Sequence, residues 1–391
     1  MFKIQTYNKI AVIGLDRFDR ENYEVAGGIA NPDAILLRSH MLQVSEVPST
    51  VKAIARAGAG VNNIPVPAMT ERGIVVFNTP GANANAVKEL VLASMFLGSR
   101  DILGGVNFVS SLKVQDKKEL SNLLEEEKKR FAGSEIAGKT LGVIGLGAIG
   151  SLVANMAIEL GMNVLGFDPA ISVEAAWRLS HEVQRMENMT SLLAKSDYIS
   201  LHLPMLESTK NLINHELLAH VKKGACLMNF AREGIVDTTA VLTSLEREDK
   251  GLRSYITDFP TPDLIGKKGV ILMPHIGAST QEAEDNCAVM AADQLKDFLG
   301  NGNIRNSVNF PTIAMERSSA CRLAFSNRNV PKMLGQVLSI LADANVNVVD
   351  MINKSRDEMA YNLIDVESRL SDDILHKISA IDGVIAVRQL V

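Results

Sequence analysis

The chain has 391 residues, 47% hydrophobic and 22% charged, a soluble globular balance that excludes wholesale disorder and suffices for two or three domains. Lys and Arg number 40 against 45 Asp and Glu, a formal net charge of −5, so no basic excess exists to hold nucleic-acid phosphates or an anionic membrane surface. The three cysteines, Cys226, Cys287 and Cys321, lack metal-ligand spacing; no disulfide framework and no metal site is expected, and a reducing, cytoplasmic setting fits.

The apolar run at 10–15 is followed at once by charge, too short for a signal-peptide core or a membrane span. Residues 9–14 read as a first strand. Further short apolar runs at 34–38, 51–57 and 73–78 suit strands covered on both faces, alternating with helices in a parallel sheet. Residues 86–103 read as one long apolar helix, and the charged stretch 113–130 as a surface crossing. A second alternating unit begins with a strand at 140–144. A glycine-rich turn follows, then a helix with Ile149, Val153, Met156, Ala157 and Leu160 at helical spacing. Strands at 163–167, 198–201, 225–229, 254–257 and 270–273 continue a doubly wound pattern to about residue 283. After an expected linker at 309–318, strand 321–325, helix 331–344, strands 346–351 and 359–366, helix 371–381 and strand 384–388 follow. That order is the ferredoxin-like arrangement.

Gly145-Leu146-Gly147-Ala148-Ile149-Gly150 stands between a strand and a helix. In a GxGxxG turn the first glycine permits the tight bend, the second lets the backbone approach a pyrophosphate, and the third lets helix and strand pack closely. The helix N-terminus offers free N–H groups to the phosphates. Asp168 ends the next strand, where a carboxylate can accept from ribose hydroxyls and would repel a 2′-phosphate. No arginine stands in 167–171, so the pattern predicts NAD rather than NADP.

Oxidising a hydroxy acid also needs a base for the hydroxyl proton and a cation for the carboxylate. Histidine and arginine suit those tasks, the first through its pKa near working pH and the second through its planar fork. Arg232 follows the strand at 225–229 and His275 the strand at 270–273, and ligands of open parallel sheets sit beyond the carboxyl ends of strands. A surface arginine and a loop histidine bonded to backbone are the alternatives.

The segments Arg56-Ala57-Gly58-Ala59-Gly60-Val61-Asn62-Asn63, Asn78-Thr79-Pro80-Gly81, the glycine turn with Asp168, His202-Leu203-Pro204, 229–237 (NFAREGIVD) and 274–280 (PHIGAST) follow one another in order. On them the chain resembles the D-isomer-specific 2-hydroxyacid dehydrogenases, and within these the D-3-phosphoglycerate dehydrogenases. The resemblance implies that Arg232 binds the substrate carboxylate, that His275 exchanges the proton, and that Arg56, Ala57, Gly58 and Asn78 line the substrate side. It implies that Asp258 contacts the nicotinamide part of the cofactor. Ala148, Ile149, His202, Leu203, Pro204, Phe230, Ala231, Ile276, Gly277 and Ala278 would line the cofactor groove. Lys129 and Arg130 fall where the family supplies a further basic contact, or are merely solvated. The glutamate with which the family pairs its histidine is absent from Asp258-Phe259-Pro260-Thr261-Pro262-Asp263; Asp263 stands at the right offset, as a shorter partner or as a solvated loop residue.

The last 70 or so residues resemble an ACT regulatory domain, which implies edge-to-edge pairing and an L-serine effector, or a purely structural dimerisation module. Asn329 and Asn347 match effector positions, whereas Lys332 stands where a glycine is expected. The architecture so implied is α/β, with two Rossmann-like doubly wound parallel-sheet domains and a ferredoxin-like ACT domain. Residues 1–98 and 285–312 would bind substrate, 99–284 NAD, and 319–391 an effector. The implied protein is a cytoplasmic homodimer or homotetramer that oxidises 3-phospho-D-glycerate. Reduction of hydroxypyruvate or glyoxylate, and a non-catalytic NAD-sensing corepressor-like role, are the alternatives.

Overall fold

The run Ala34–Leu37 is buried at every position, which only a sheet covered on both faces accommodates. It forms β3 of a five-stranded parallel sheet ordered β2-β1-β3-β4-β5. The sheet's other strands are β1 (Phe2–Tyr7), β2 (Tyr23–Ala26), β4 (Ala53–Arg56) and β5 (Val75–Phe77), with helices α1 (Val12–Leu15) and α2 (Val66–Glu71) between strands in the chain. The computed structural model describes residues 1–247 and 249–391. These residues form one unit of 1–83 with 281–391 and a second of 84–280.

The second unit opens with α3 (Ala84–Ser99), α4 (Ile102–Ser111) and α5 (Lys117–Glu127). The single helix expected over 86–103 is thus two. The Asp101 side chain accepts the Gly104 N–H at 2.8 Å and starts a new helix, as an N-cap does. The dinucleotide-type alternation follows: β6 (Thr140–Ile144), α6 (Ala148–Glu159), β7 (Asn163–Phe167), α7 (Val173–Arg178), β8 (Gln184–Arg185), α8 (Met189–Lys195) and β9 (Tyr198–Leu201). It closes with α9 (His215–Leu218), β10 (Ala225–Asn229), α10 (Thr238–Leu245), β11 (Leu252–Thr257) and β12 (Val270–Leu272). The seven parallel strands lie in the order β12-β11-β10-β9-β6-β7-β8, so chain direction across the sheet reverses between β6 and β9. Successive strand residues point to opposite faces. Val143 and Met228 enter one core with Val87, Met95 and Val153, and Ile144 and Leu227 the other with Leu192, Ile213 and Val241.

Helix α11 (Gln281–Asn301) returns the chain to the first unit, ahead of β13 (Cys321–Arg328), α12 (Met333–Asp343), β14 (Val348–Arg356), β15 (Met359–Val366), α13 (Asp372–Ser379) and β16 (Val384–Leu390). The last four strands form an antiparallel sheet ordered β14-β15-β13-β16, the ferredoxin-like order. Leu323, Phe325 and Ile364 on one face pack with Val337, Leu341 and Ile378 of α12 and α13. Ala324, Tyr361, Leu363 and Leu390 on the other face share a core with Phe298, Leu299, Leu36 and Phe77.

One expectation is corrected here. Residues 9–14 are not the first strand, because β1 lies at Phe2–Tyr7 and Val12–Leu15 coil into α1. A Cβ on Gly14 would stand 2.5 Å from the Ala288 Cβ of α11, so helix-against-helix approach, not strand pairing, uses this run. Residues 309–318 connect α11 to β13 without a helix or strand of their own, and they are packed: Phe310 and Ile313 are buried in the shared core, and Ile304 and Ile313 exchange backbone hydrogen bonds. Among the described residues, no helix is long and apolar enough to cross a membrane, and no group of three or more His, Cys, Asp or Glu side chains could hold a metal ion.

Candidate active site

Parallel strands deliver their following loops to one edge, and in the second unit that edge carries every chemically suggestive motif. Taken across the sheet from β12 to β7, the carboxyl ends lead to His275, Asp258, Arg232, His202, the Gly145–Gly150 turn and Asp168. The reversal of strand order lies between β9 and β6, where such sheets open a ligand crevice.

The three glycines of the turn differ in what a side chain would meet. Gly145 has φ +89°, and its Cβ would lie 2.5 Å from the His202 carbonyl oxygen. A Cβ on Gly150 would lie 1.9 Å from the Gly145 oxygen, so both are dictated by folding. At Gly147 nothing stands within 4 Å. Gly147 is also the N-cap of α6 and makes no side-chain capping bond, so the helix end presents bare backbone to open space. That open backbone cradle fits a pyrophosphate. Gly147→Ala should leave the urea unfolding midpoint nearly unchanged yet weaken dinucleotide binding about tenfold or more, because the methyl group fills ligand space rather than protein space. Calorimetric titration with NAD checks this.

Asp168 braces the turn: Oδ2 accepts the Leu146 N–H at 2.8 Å and Oδ1 the Ala170 N–H at 2.9 Å. Each oxygen keeps acceptor capacity for ribose hydroxyls. His202 Nε2 lies 2.8 Å from the Ser200 hydroxyl, Nδ1 is buried with no partner among the described residues, and burial pushes the imidazole down to about 3. It is neutral in the working range. Leu203 is half-buried and Pro204 exposed beyond it. Phe230 and Ala231, expected to line the groove, are buried with their side chains in the two cores, so only their backbone is left for a cofactor.

Arg232 and His275 follow β10 and β12, which flank β11; two strand spacings of about 4.8 Å separate their strands by roughly 10 Å. Both side chains are exposed. The link between the loops is a buried polar chain. Asn229 Nδ2 donates to the Arg232 carbonyl at 2.9 Å and Oδ1 accepts the Ala231 N–H at 3.1 Å. The Asn229 carbonyl accepts the Asp258 N–H at 3.3 Å and the Thr257 hydroxyl at 3.1 Å. Asp258, 2% exposed, accepts the Ile276 and Gly277 N–H groups. In the sequence Asn229 stands out only as the start of a motif. Its signal was an amide at the end of an otherwise apolar strand, a buried polar group that must find partners.

His275 itself has φ +57°, the left-handed region that a non-glycine residue enters at about 1 kcal/mol or more. Phe259 lies against it, ring centroids 4.9 Å apart at 59°. Asp263 is exposed on the turn at Pro262–Leu264. Among the described residues neither it nor any other carboxylate makes an ion pair with His275. The expected Asp263 partnership is therefore not formed. Ile276 is exposed and Ala278 half-buried.

In the first unit the substrate-side residues also sit at carboxyl strand ends. Arg56 ends β4, and Asn78 follows β5. The Asn78 side chain donates to the Ala59 carbonyl at 2.6 Å and the Thr79 N–H to Gly58 at 3.1 Å, which ties the two loops together. Arg56 Nε donates to the Arg38 carbonyl at 3.0 Å, and a Cβ on Gly58 would lie 2.5 Å from Arg56 Nη1. Ala57 is buried beside them.

Of the two basic residues before β6, Arg130 pairs with Glu127 and lies over the Phe108 and Phe131 rings, whereas Lys129 is exposed. In the C-terminal sheet Asn329 Nδ2 donates to the Asp357 carbonyl at 3.2 Å, and Asn347 Nδ2 to the Glu367 carboxylate at 2.7 Å. Lys332 takes the left-handed φ of +74° expected of a glycine.

A family model described as D-isomer specific 2-hydroxyacid dehydrogenase, NAD binding domain, matches residues 107–277. The curated D-3-phosphoglycerate dehydrogenase of Haemophilus influenzae is 32% identical over 381 residues, 94% of this chain and 88% of its own. Those of Methanocaldococcus jannaschii and Synechocystis are 35% and 38% identical over 84% and 74% of this chain. The chain spans only 61% and 50% of those two relatives' length. The crystal structure of NAD+-bound 3-phosphoglycerate dehydrogenase in Entamoeba histolytica superposes with a TM-score of 0.61 at 29% identity, covering 79% of this chain and 98% of that one. With the sheet order, the glycine cradle and these matches together, the chain belongs to the D-isomer-specific 2-hydroxyacid dehydrogenase family and carries its NAD-binding domain.

Proposed function

We propose that this protein oxidises 3-phospho-D-glycerate at C2 to 3-phosphohydroxypyruvate, the first step of L-serine synthesis. The observation that carries the reading is Arg232 and His275 on one sheet edge with the dinucleotide cradle, their loops joined through Asn229 and Asp258. NAD, when bound, takes up the hydride that leaves C2. The Arg232 fork holds the substrate carboxylate with two parallel hydrogen bonds. His275 removes the hydroxyl proton as the C2–O bond becomes a carbonyl. Arg56 serves the phosphate, and the names of the relatives support that choice of substrate.

A panel of 3-phospho-D-glycerate, D-glycerate and D-lactate with NAD, and of hydroxypyruvate and glyoxylate with NADH, tests the reading. The phosphorylated acid should give the highest kcat/KM. Preference for an unphosphorylated acid would move the protein to another branch of the family. NAD binding with no turnover of any acid would make it a sensor rather than an enzyme.

The division of labour proposed is NAD at 99–284, substrate at 1–98 and 285–312, and an effector on 319–391. L-serine is the effector proposed, at Asn329 and Asn347; its binding has to exchange the Asn347–Glu367 bond, and calorimetric titration reads it. A cytoplasmic setting is supported by three free cysteines, all buried. A homo-oligomer is supported by α4, which buries none of its residues while Leu103, Val106 and Val109 lie exposed. Val106→Glu should dissociate the oligomer in sedimentation velocity without lowering the monomer's helix content.

A further inference from the structure

We infer that the imidazole of this chain is positioned through its own main chain, by the Asp258 carboxylate, with the Phe259 ring setting its plane, instead of by a carboxylate on the ring. The inference rests on the assignment of His275 as the proton acceptor. A left-handed histidine persists only where its surroundings over-determine it, and the residues immediately after it supply that constraint. Asp258 Oδ1 accepts the Ile276 N–H at 2.8 Å and Oδ2 the Gly277 N–H at 2.7 Å. Two successive backbone donors are thus clamped by one buried anion, and charge-assisted bonds of this kind are stronger than neutral ones. The Ser279 N–H closes the turn onto the Ile276 carbonyl at 2.9 Å.

The clamp is itself rigid. The backbone N–H of Asp258 is held by the Asn229 carbonyl and that of Phe259 by the Thr257 hydroxyl at 3.1 Å, so the carboxylate cannot drift from the end of β11. Gly277 is part of the device. Its Cβ would lie 3.0 Å from Asp258 Oδ2, so a side chain there pushes the carboxylate off the N–H groups. Phe259, next to Asp258, puts its ring against the imidazole. With one amide on each oxygen and the side chain only 2% exposed, Asp258 acts on the reaction as a positioning residue. A displacement of about 1 Å in a reacting group can lower a rate about a hundredfold, which is the scale at which such a clamp matters.

The test uses Asp258→Asn, which keeps shape but offers one acceptor where two are needed. In the protein without cofactor, amide hydrogen exchange at Ile276 and Gly277 should quicken at least about tenfold, with β11 and β12 unchanged. In turnover kcat should fall about 10- to 100-fold, with the calorimetric Kd for NAD within about twofold of wild type. Gly277→Ala, which leaves every titratable group in place, should reproduce the loss of kcat, and Phe259→Leu should lower kcat with both amides still protected. Unchanged exchange at Ile276 and Gly277, or a Kd for NAD that rises while kcat holds, would overturn the inference and make Asp258 a direct cofactor contact. Wild-type turnover by His275→Ala would instead remove the catalytic assignment while leaving the exchange result standing.

Discussion

His275→Ala is expected to lower kcat for the hydroxy acid by about 10²- to 10⁴-fold, the usual contribution of a positioned general base, with the Kd for NAD close to wild type. The imidazole stands exposed beyond β12, and no carboxylate pairs with it among the described residues. Removing it would therefore delete the proposed proton acceptor without stranding a buried partner. Arg232 gives a different signature. Its guanidinium is exposed, with Nη1 donating to the Ala231 carbonyl at 2.7 Å, and the role proposed for it has it meet the substrate in both ground and transition states. Arg232→Ala should therefore raise KM as well as lower kcat. Arg232→Lys should recover little, because a single ammonium cannot make the two parallel bonds of the fork. Steady-state kinetics over a range of acid concentrations separate the two variants. Wild-type kcat in His275→Ala would sink the proton-transfer role.

Much of the nucleotide unit was legible because its signals are local. Buried parallel strands are short apolar runs, so 140–144, 163–167 and 225–229 could be bounded to the residue, as observed. The strand-end positions of Arg232 and His275 followed from the same reading. What stayed hidden was set by distant partners. The run at 9–14 is apolar enough for a strand, yet Val12 and Ile13 are exposed and the segment coils because Gly14 meets Ala288, far along the chain. Phe230 reads as a groove residue by position, but its ring is needed in the core under the sheet. The substitute for the missing glutamate could not be read either, since Asp258 acts on backbone donors that carry no sequence signature.

Breaking the Arg322–Asp365 pair should destabilise the first unit by about 3–5 kcal/mol, the scale for an uncompensated buried charge. Both side chains are fully buried, with Nε to Oδ1 at 2.6 Å and Nη2 to Oδ2 at 3.0 Å. The other guanidinium donors reach the carbonyls of Asn301, Met315 and Glu316, and Asp365 Oδ2 also accepts from the Ser318 N–H and hydroxyl. The pair thus fastens β13 and β15 to the segment after α11. Arg322→Met leaves the Asp365 carboxylate buried and unpaired; Asp365→Leu does the same to the guanidinium. The double variant should recover only part of the loss, because the three carbonyls remain without donors and each orphaned group is worth about 1–3 kcal/mol. Burial works to raise the Asp365 carboxyl, but the bonds from Arg322 and Ser318 outweigh it and hold it below its ordinary value. A carboxylate depressed on folding contributes its full stability above its unfolded pKa, about 3.9 for aspartate, and that contribution fades as pH falls through the lower folded value. Urea midpoints should therefore drop steeply below about pH 4 in the wild type. In Asp365→Leu, with no such group left to titrate, that part of the acid dependence should vanish, and an unchanged slope would show that other carboxylates govern it.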